Sequence, residues 1–362
     1  MSIYFILFFA ILFFVILDNK LTKQSKSILF FGIGIILILF AGLRSPNVDF
    51  DYILYQLFFK QIFPINTLFT NSKLFYSIIK IEPSLLIIFS FAKTFFVNGL
   101  QISIFLYAFI SISLKLNAIY KMTDYFMYTL LIYFSGIFLL QDMTQIRAAV
   151  AVGLILLSLP KIEEKKYIQF LIYISLAILF HYSAIIFLPF IFLNTKNINK
   201  MYYVFLIFIP LVLSVLKLDP INIISKMNLG IISEKFTQYI TLQKSMKLHI
   251  NIFNFNIIIQ IVLSLFFIFY SENVNNKYAI ILTKINCYSI AFFYLFAAIP
   301  VIAFRTNELL SSVQIILIPF LIYIIKPKVL AESIVVVIAF LILLNQLLVN
   351  PIINSYSSLL FQ

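Results

Sequence analysis

The amino-acid sequence predicts an all-α polytopic integral membrane protein, and three observations carry that expectation. Of 362 residues, 63% are hydrophobic and only 11% charged, against roughly 45–50% and about 25% in soluble domains. So few charges cannot coat a water-facing surface, which excludes a soluble enzyme, and such hydrophobicity excludes disorder. The apolar residues fall into runs separated by short polar stretches. Lysines collect between those runs, as they do on the cytoplasmic loops of membrane proteins. The net charge of +13 is read in the same way, rather than as the footprint of a nucleic-acid partner.

In chain order the runs are 3–17, 28–43, 84–97, 100–119, 125–140, 146–160, 167–181, 183–194, 202–217, 252–270, 285–303, 309–325 and 329–349. Several fall short of the roughly 20 residues that a helix needs to span a bilayer. The first begins almost at Met1, with no preceding lysine and no small-residue cleavage site, and reads as an uncleaved helix. Lysines at 20, 23 and 26, at 161, 165 and 166, at 196 and 200, at 277 and 284, and at 326 and 328 fix the alternation if all are cytoplasmic. One conflict arises in the N-terminal half. If 84–97 crossed the membrane, Lys115 and Lys121 would face outside and 141–147 would face inside. That run is short, carries Lys93, and opens on Glu82-Pro83, with Pro83 suited to a first helical turn. It reads as a re-entrant or interfacial helix on the outer face. The expected architecture is then about 12 crossings, within a range of about 11 to 14, in a single transmembrane domain over residues 1–362 with both termini outside. Two long outer loops remain, 44–83 (leading into helix 84–97) and 218–251, and long loops are more often functional than connective.

This topology sorts the cations. The cytoplasmic loops carry only lysine, whereas Arg44, Arg147 and Arg305 all fall on the outer side. Arg44 opens a stretch with Asp49, Asp51, Tyr52 and Tyr55, the last three sharing one face of a helix. Gln141, Gln145 and Arg147 lie in or next to a tight outer turn, followed by the small residues Ala148, Ala149, Ala151 and Gly153 that favour close helix packing. His181-Tyr182-Ser183 ends the run 167–181, and Arg305 and Glu308 lie between two outer helix ends. Singly, each feature has a structural reading: a histidine capping a helix, an i, i+3 surface pair, an arginine snorkelling to headgroups. Together they suggest a basic rim. Arginine pairs bidentately with phosphate, and Tyr, Gln, Asn and Asp suit hydroxyl-rich ligands. A basic pocket at the bilayer edge fits a lipid-linked anion such as a polyprenyl-diphosphate sugar. No glycine-rich nucleotide loop is present. Cys287 is single, and His181 and His249 have no partners at metal-ligand spacing, so neither cofactor nor metal is expected.

The ordered set Arg44…Val48-Asp49-Phe50-Asp51-Tyr52-(x)2-Tyr55, Glu82-Pro83, Gln145-Ile146-Arg147-(x)3-Ala151, Phe180-His181-Tyr182-Ser183-Ala184 with Leu188-Pro189, and Arg305 ahead of a run ending in Pro319 resembles the EpsG-like group of Wzy-type O-antigen and capsule polymerases, over about residues 40–320. The resemblance implies a lipid-dependent, GT-C-like glycosyltransferase of the bacterial inner membrane. It would move a growing glycan from polyprenyl diphosphate to the next lipid-linked repeat unit on the periplasmic face. Its partners would be that lipid-linked oligosaccharide, membrane lipid, a chain-length regulator and a flippase. The family usually shows Val-Gly-Thr-Asp-Tyr, whereas Asp49 and Phe50 stand here in place of Gly and Thr. The loop backbone is thus expected to differ, with Asp49 as a substrate contact peculiar to this chain.

On that basis Arg147, His181 and Glu82 are the catalytic candidates. Arg147 and Arg305, with Arg44 in reserve, would hold the diphosphate; His181, or one of Glu82, Asp49 and Asp51, would take the acceptor proton. Arg44, Asp49, Asp51, Tyr52, Tyr55, Gln141, Gln145, Arg305 and Glu308 are the expected substrate contacts. The alternative from another class is a transporter of lipid-linked oligosaccharide, which needs a hydrophilic cavity at the midplane. Few mid-helix charges, Lys115 and Lys93, offer one.

Overall fold

The computed structural model describes residues 1–68, 81–218 and 250–359. Most of the outer loop 218–251 and residues 69–80 of the loop 44–83 lie outside them. Among the described residues the chain is helical, its only β pairing being two isolated bridges. It divides into two compact units, Met1–Ile191 with Ile318–Gln362, and Phe192–Leu317.

The first unit contains α1 (Ser2–Ile16), α2 (Lys23–Gly42), α3 (Tyr52–Gln61), α4 (Pro83–Phe95), α5 (Gly99–Met122), α6 (Phe126–Tyr133), α7 (Ile146–Glu163) and α8 (Tyr167–Phe180). α6 continues as a π-helix over Phe134–Asp142, and α8 is followed by a 3-10 helix over Tyr182–Phe192. The second unit contains α9 (Lys200–Val215), α10 (Phe255–Tyr270), α11 (Ala279–Leu295) and α12 (Pro300–Leu310). A last helix, α13 (Lys328–Leu344), returns to the first unit. Six described stretches are long and apolar enough to cross a membrane: Ser2–Lys20, Lys23–Gly42, Gly99–Met122, Phe255–Asn273, Pro300–Ile324 and Lys328–Val349. Shorter apolar helices accompany them, so this is a multi-pass membrane protein.

Pro83 occupies the first turn of α4, where its missing N–H costs nothing. α4 is clamped to α3 by Lys93, whose ammonium donates to the carbonyls of Phe59, Lys60 and Ile62 at 2.9, 3.2 and 2.7 Å. These are the last carbonyls of α3, which lack partners within the helix. Pro300 corrects one sequence expectation. It was placed inside a run ending at 303, with the break at Arg305–Glu308. A proline inside a helix loses a hydrogen bond and clashes with the preceding turn. The chain instead breaks at Phe296–Ile299 and starts α12 on Pro300, so Arg305 and Glu308 lie within a helix rather than between two.

The first unit has two chemically distinct ends. At one end Lys26 pairs with Asp18 at 2.8 Å, Lys328 donates to Asn19 at 2.8 Å, and Tyr323 donates to Asp124 at 3.3 Å. At the other, the Met1 amino group meets Ser355 at 3.4 Å, and the C-terminal segment lies along the residues after α2. Arg44 bridges Ser358 and Asp49 bridges Ile353. Tyr356 stacks on Phe40 with ring centroids 3.8 Å apart.

Close helix contact is set by small residues. A Cβ added to Gly153 of α7 would lie 2.7 Å from Leu114 Cβ and 3.3 Å from the Ser111 carbonyl of α5, whereas one at Gly32 meets nothing within 4 Å. In the second unit an amide network crosses several helices. Gln260 donates to Asn286 at 3.1 Å, Asn286 to Ser264 at 2.7 Å, and Asn307 to Gln260 at 3.0 Å. We expect Gly153→Ala to lower the melting temperature of the detergent-purified protein, by about 1–3 kcal/mol of stability. Gly32→Ala should leave it unchanged.

Candidate functional site

Three segments far apart in sequence bring Glu82, Arg147 and His181 together in the first unit. Glu82 immediately precedes α4, Arg147 sits in the first turn of α7, and His181 ends α8. Arg147 Nη1 donates to Glu82 Oε2, and His181 Nδ1 lies 3.4 Å from Glu82 Oε1. One carboxylate thus faces both the guanidinium and the imidazole. The surroundings hold the three in place. Tyr182 donates to the Ile81 carbonyl at 3.1 Å, tying the end of α8 to the residue before Glu82. Ser84 and Tyr107 share a hydrogen bond at 3.1 Å, which sets the start of α4 about two turns down α5 from Gly99. The Phe58 ring centroid lies 6.0 Å from the Arg147 guanidinium carbon, within cation–π range.

Burial is graded across the cluster. The Glu82 side chain is 9% exposed, His181 16% and Arg147 27%. The carboxylate is therefore the inner member, and the two nitrogen bases reach the open side. Burial works to raise the Glu82 carboxyl, but the His181 imidazole and the Arg147 charge outweigh it and hold the group below its ordinary value. Glu82 therefore stays ionised at neutral pH. Arg147 retains guanidinium donors beyond the one given to Glu82, and His181 Nε2 is not committed to Glu82. The arrangement can hold an anion and accept a proton side by side.

The other expected contacts are distributed differently. Arg44 and Asp49 face each other at 2.7 Å with both side chains fully buried. The expectation that they meet substrate gives way to an internal pair: two adjacent opposite charges leaving water satisfy each other first. Burial nonetheless pushes the Asp49 carboxyl up, against the pull of Arg44. Tyr52 and Tyr55 are buried in α3, where they donate to Gln101 at 3.2 Å and to the Thr144 carbonyl at 3.0 Å. Asp51 is the residue before α3, and Gln145 the residue before α7. Gln141 is buried, with neither end of its carboxamide hydrogen-bonded. In the second unit, Arg305 is exposed on α12 and Glu308 is half-buried there. No group of three or more His, Cys, Asp or Glu side chains that could hold a metal occurs among the described residues.

The turn at 141–147 corrects another expectation. The sequence suggests a tight outer turn there, but Asp142 reaches Ser111 and Lys115, which lie about 18 and 24 Å along α5 from Gly99. The turn is therefore sunk deep among the helices. A buried carboxylate needs a cation and hydrogen-bond donors, and these lie at that depth. In the sequence, Lys115 stands out as a topology marker and as one of the few mid-helix charges, with no partner assigned. The signal for its partner was a lysine interrupting the apolar run 100–119, since an ionisable residue inside a membrane segment pairs with another.

The EpsG family matches residues 27–360. The chain belongs to the EpsG family. Among characterised proteins, this EpsG-family chain is similar to the amylovoran biosynthesis protein AmsC of Erwinia amylovora, at 26% identity over 246 residues. That match covers 65% of this chain and 60% of AmsC, so the chain spans under two thirds of the relative's length. No solved structure matches.

Because its pKa is lowered, Glu82 contributes stability that is present above pH 4.5, the ordinary carboxylate value, and lost as pH falls through the lowered one. We expect Glu82→Gln to melt below the parent at neutral pH, with the gap closing on acidification below that point. Thermal melts of both proteins across pH measure it.

Proposed function

We propose that this protein is a polysaccharide polymerase. It transfers a growing glycan from polyprenyl diphosphate to a lipid-linked repeat unit on the periplasmic face of the bacterial inner membrane. The observation that carries this reading is the convergence of Glu82, Arg147 and His181 from three separate segments, with the cation and the imidazole on the open side. Membership of the EpsG family and the similarity to an amylovoran biosynthesis protein support the substrate class. Lys26 and Lys328, which lie at the end of the first unit away from this cluster, support that choice of side.

The chemistry divides among the three residues. The acceptor hydroxyl oxygen forms a bond to the anomeric carbon of the growing glycan, whose bond to the diphosphate oxygen breaks. Arg147 holds the diphosphate as its negative charge grows. His181 Nε2 takes the hydroxyl proton. Glu82 orients the imidazole through Nδ1 and stabilises its charged form, while fixing the Arg147 fork. Glu82 is thus a positioning residue rather than the base. Desolvation around the carboxylate strengthens each of these interactions.

Arg147→Ala should leave the protein in the membrane but lower polymerisation about 100-fold or more. Surface polysaccharide from the variant strain, resolved by gel, should collapse to single attached repeat units. Long polymer in that strain would overturn the reading. Loss of even the single unit would point to transport of the lipid-linked precursor instead.

His181→Ala should lower turnover about 100- to 10,000-fold, with little change in KM for the lipid-linked unit. Kinetics on the purified protein would measure that split.

A further inference from the structure

Lys115 is fully buried in α5 and reaches both oxygens of Asp142 at 2.8 Å. Ser111 donates to Asp142 Oδ1 at 2.6 Å and Tyr133 to Oδ2 at 2.8 Å. One carboxylate thus receives the lysine and two hydroxyls. A pair of this kind adds little stability over apolar side chains of similar volume, so what it holds in place is the question.

Its position answers that. Asp142 ends the π-helix Phe134–Asp142, which begins directly after Tyr133. Nine residues make two and a half α-helical turns, placing Tyr133 and Asp142 on opposite faces. In the wider π winding they make about two turns, placing both on one face. The π-helix is what lets both groups meet Lys115. The chain then reverses: Met143 N donates to the Phe138 carbonyl at 3.0 Å, and the Thr144 carbonyl accepts from Tyr55 at 3.0 Å. Arg147 follows in the first turn of α7. Further along, α7 rests on α5 at Gly153, against Leu114 and Ser111. The stretch Ser111–Lys115 therefore anchors the turn before Arg147 and the helix after it.

We infer that Lys115 and Asp142 are positioning residues for the reaction, setting the depth and rotation of Arg147 against Glu82 and His181. The inference rests on the reading of Arg147 as the group that holds the diphosphate. A displacement of about 1 Å at such a group costs on the order of 100-fold in rate. The pair thus acts on turnover rather than on substrate affinity.

The test is the neutral double variant Lys115→Met/Asp142→Asn. It leaves no unpaired charge and keeps one acceptor oxygen for the two hydroxyls, the other hydroxyl turning to accept from the new amide N–H. Its substrate is the polyprenyl-diphosphate-linked repeat unit extracted from a strain deleted for this protein. We expect normal membrane levels, turnover per folded molecule lowered about 10- to 100-fold, and KM within about twofold of the parent. Parental turnover would overturn the inference. If the double variant fails to accumulate, Tyr133→Phe decides, since it keeps both charges and removes one donor. Turnover lowered several-fold at unchanged KM supports the inference, and parental turnover overturns it. Arg147→Ala serves as the reference. If that variant polymerises normally, the functional reading fails on its own account. If it is inactive while the double variant turns over like the parent, only the positioning inference falls.

Discussion

No charge can be left alone where there is no water, and that constraint shapes every part of the first unit. Unpaired ions in low dielectric cost several kcal/mol even after relaxation, more than most helix contacts return. Among the described residues, three of the first unit's ion pairs show three different roles. Arg44–Asp49 closes one end of the unit, with both side chains fully buried. Lys115–Asp142 lies deep in the helices, also with no exposure. Of these three, Glu82–Arg147 is the one that keeps an open side, the guanidinium being 27% exposed. The difference in exposure separates a site from a strut: only a cation that still faces water has somewhere to put a ligand.

The same constraint explains the irregular helices. The π-helix Phe134–Asp142 shifts backbone hydrogen bonding by a residue, an arrangement that proteins use mainly at functional sites. A second π-helix, Asn345–Val349, ends α13. With its amide turned to satisfy both atoms, Gln346 of that helix donates to the carbonyls of Ser135 and Gly136 at 3.2 and 3.0 Å. One wound-out segment thus completes the hydrogen bonding of another. The second unit buries one lysine, Lys284, against the Asn197 carbonyl at 2.6 Å, and otherwise uses amides that donate and accept in the same place, which holds membrane helices together at modest energetic gain.

Much of the fold was legible because composition and lysine placement respond directly to the bilayer. Short, charged 84–97 was set apart from the crossings by Lys93 and Pro83, and both have structural roles at α4. The convergence of Glu82, Arg147 and His181 could be suspected from an ordered motif, but no spacing in one dimension reports which carboxylate meets which base. Periodicity also misled at Pro300, where apolar residues run on across a helix start. Arg44 and Asp49 show a further limit. Residues five apart that both look available for substrate can satisfy each other, and only packing reveals it. Asp142 was hidden for the opposite reason: its partner Lys115 lies 27 residues back, in a different helix.

The first unit is discontinuous, since Ile318–Gln362 returns to it after the whole of the second unit. Seen as a growing chain on a ribosome, this imposes a waiting time. The Arg44–Asp49 pair is covered by Ile353 and Ser358, roughly 300 residues later, or about 15–60 s at 5–20 residues per second. During that interval the two opposite charges have each other but not the backbone that later covers them. The Arg44–Asp49 end of the first unit therefore closes only once the segment beyond α13 has been made.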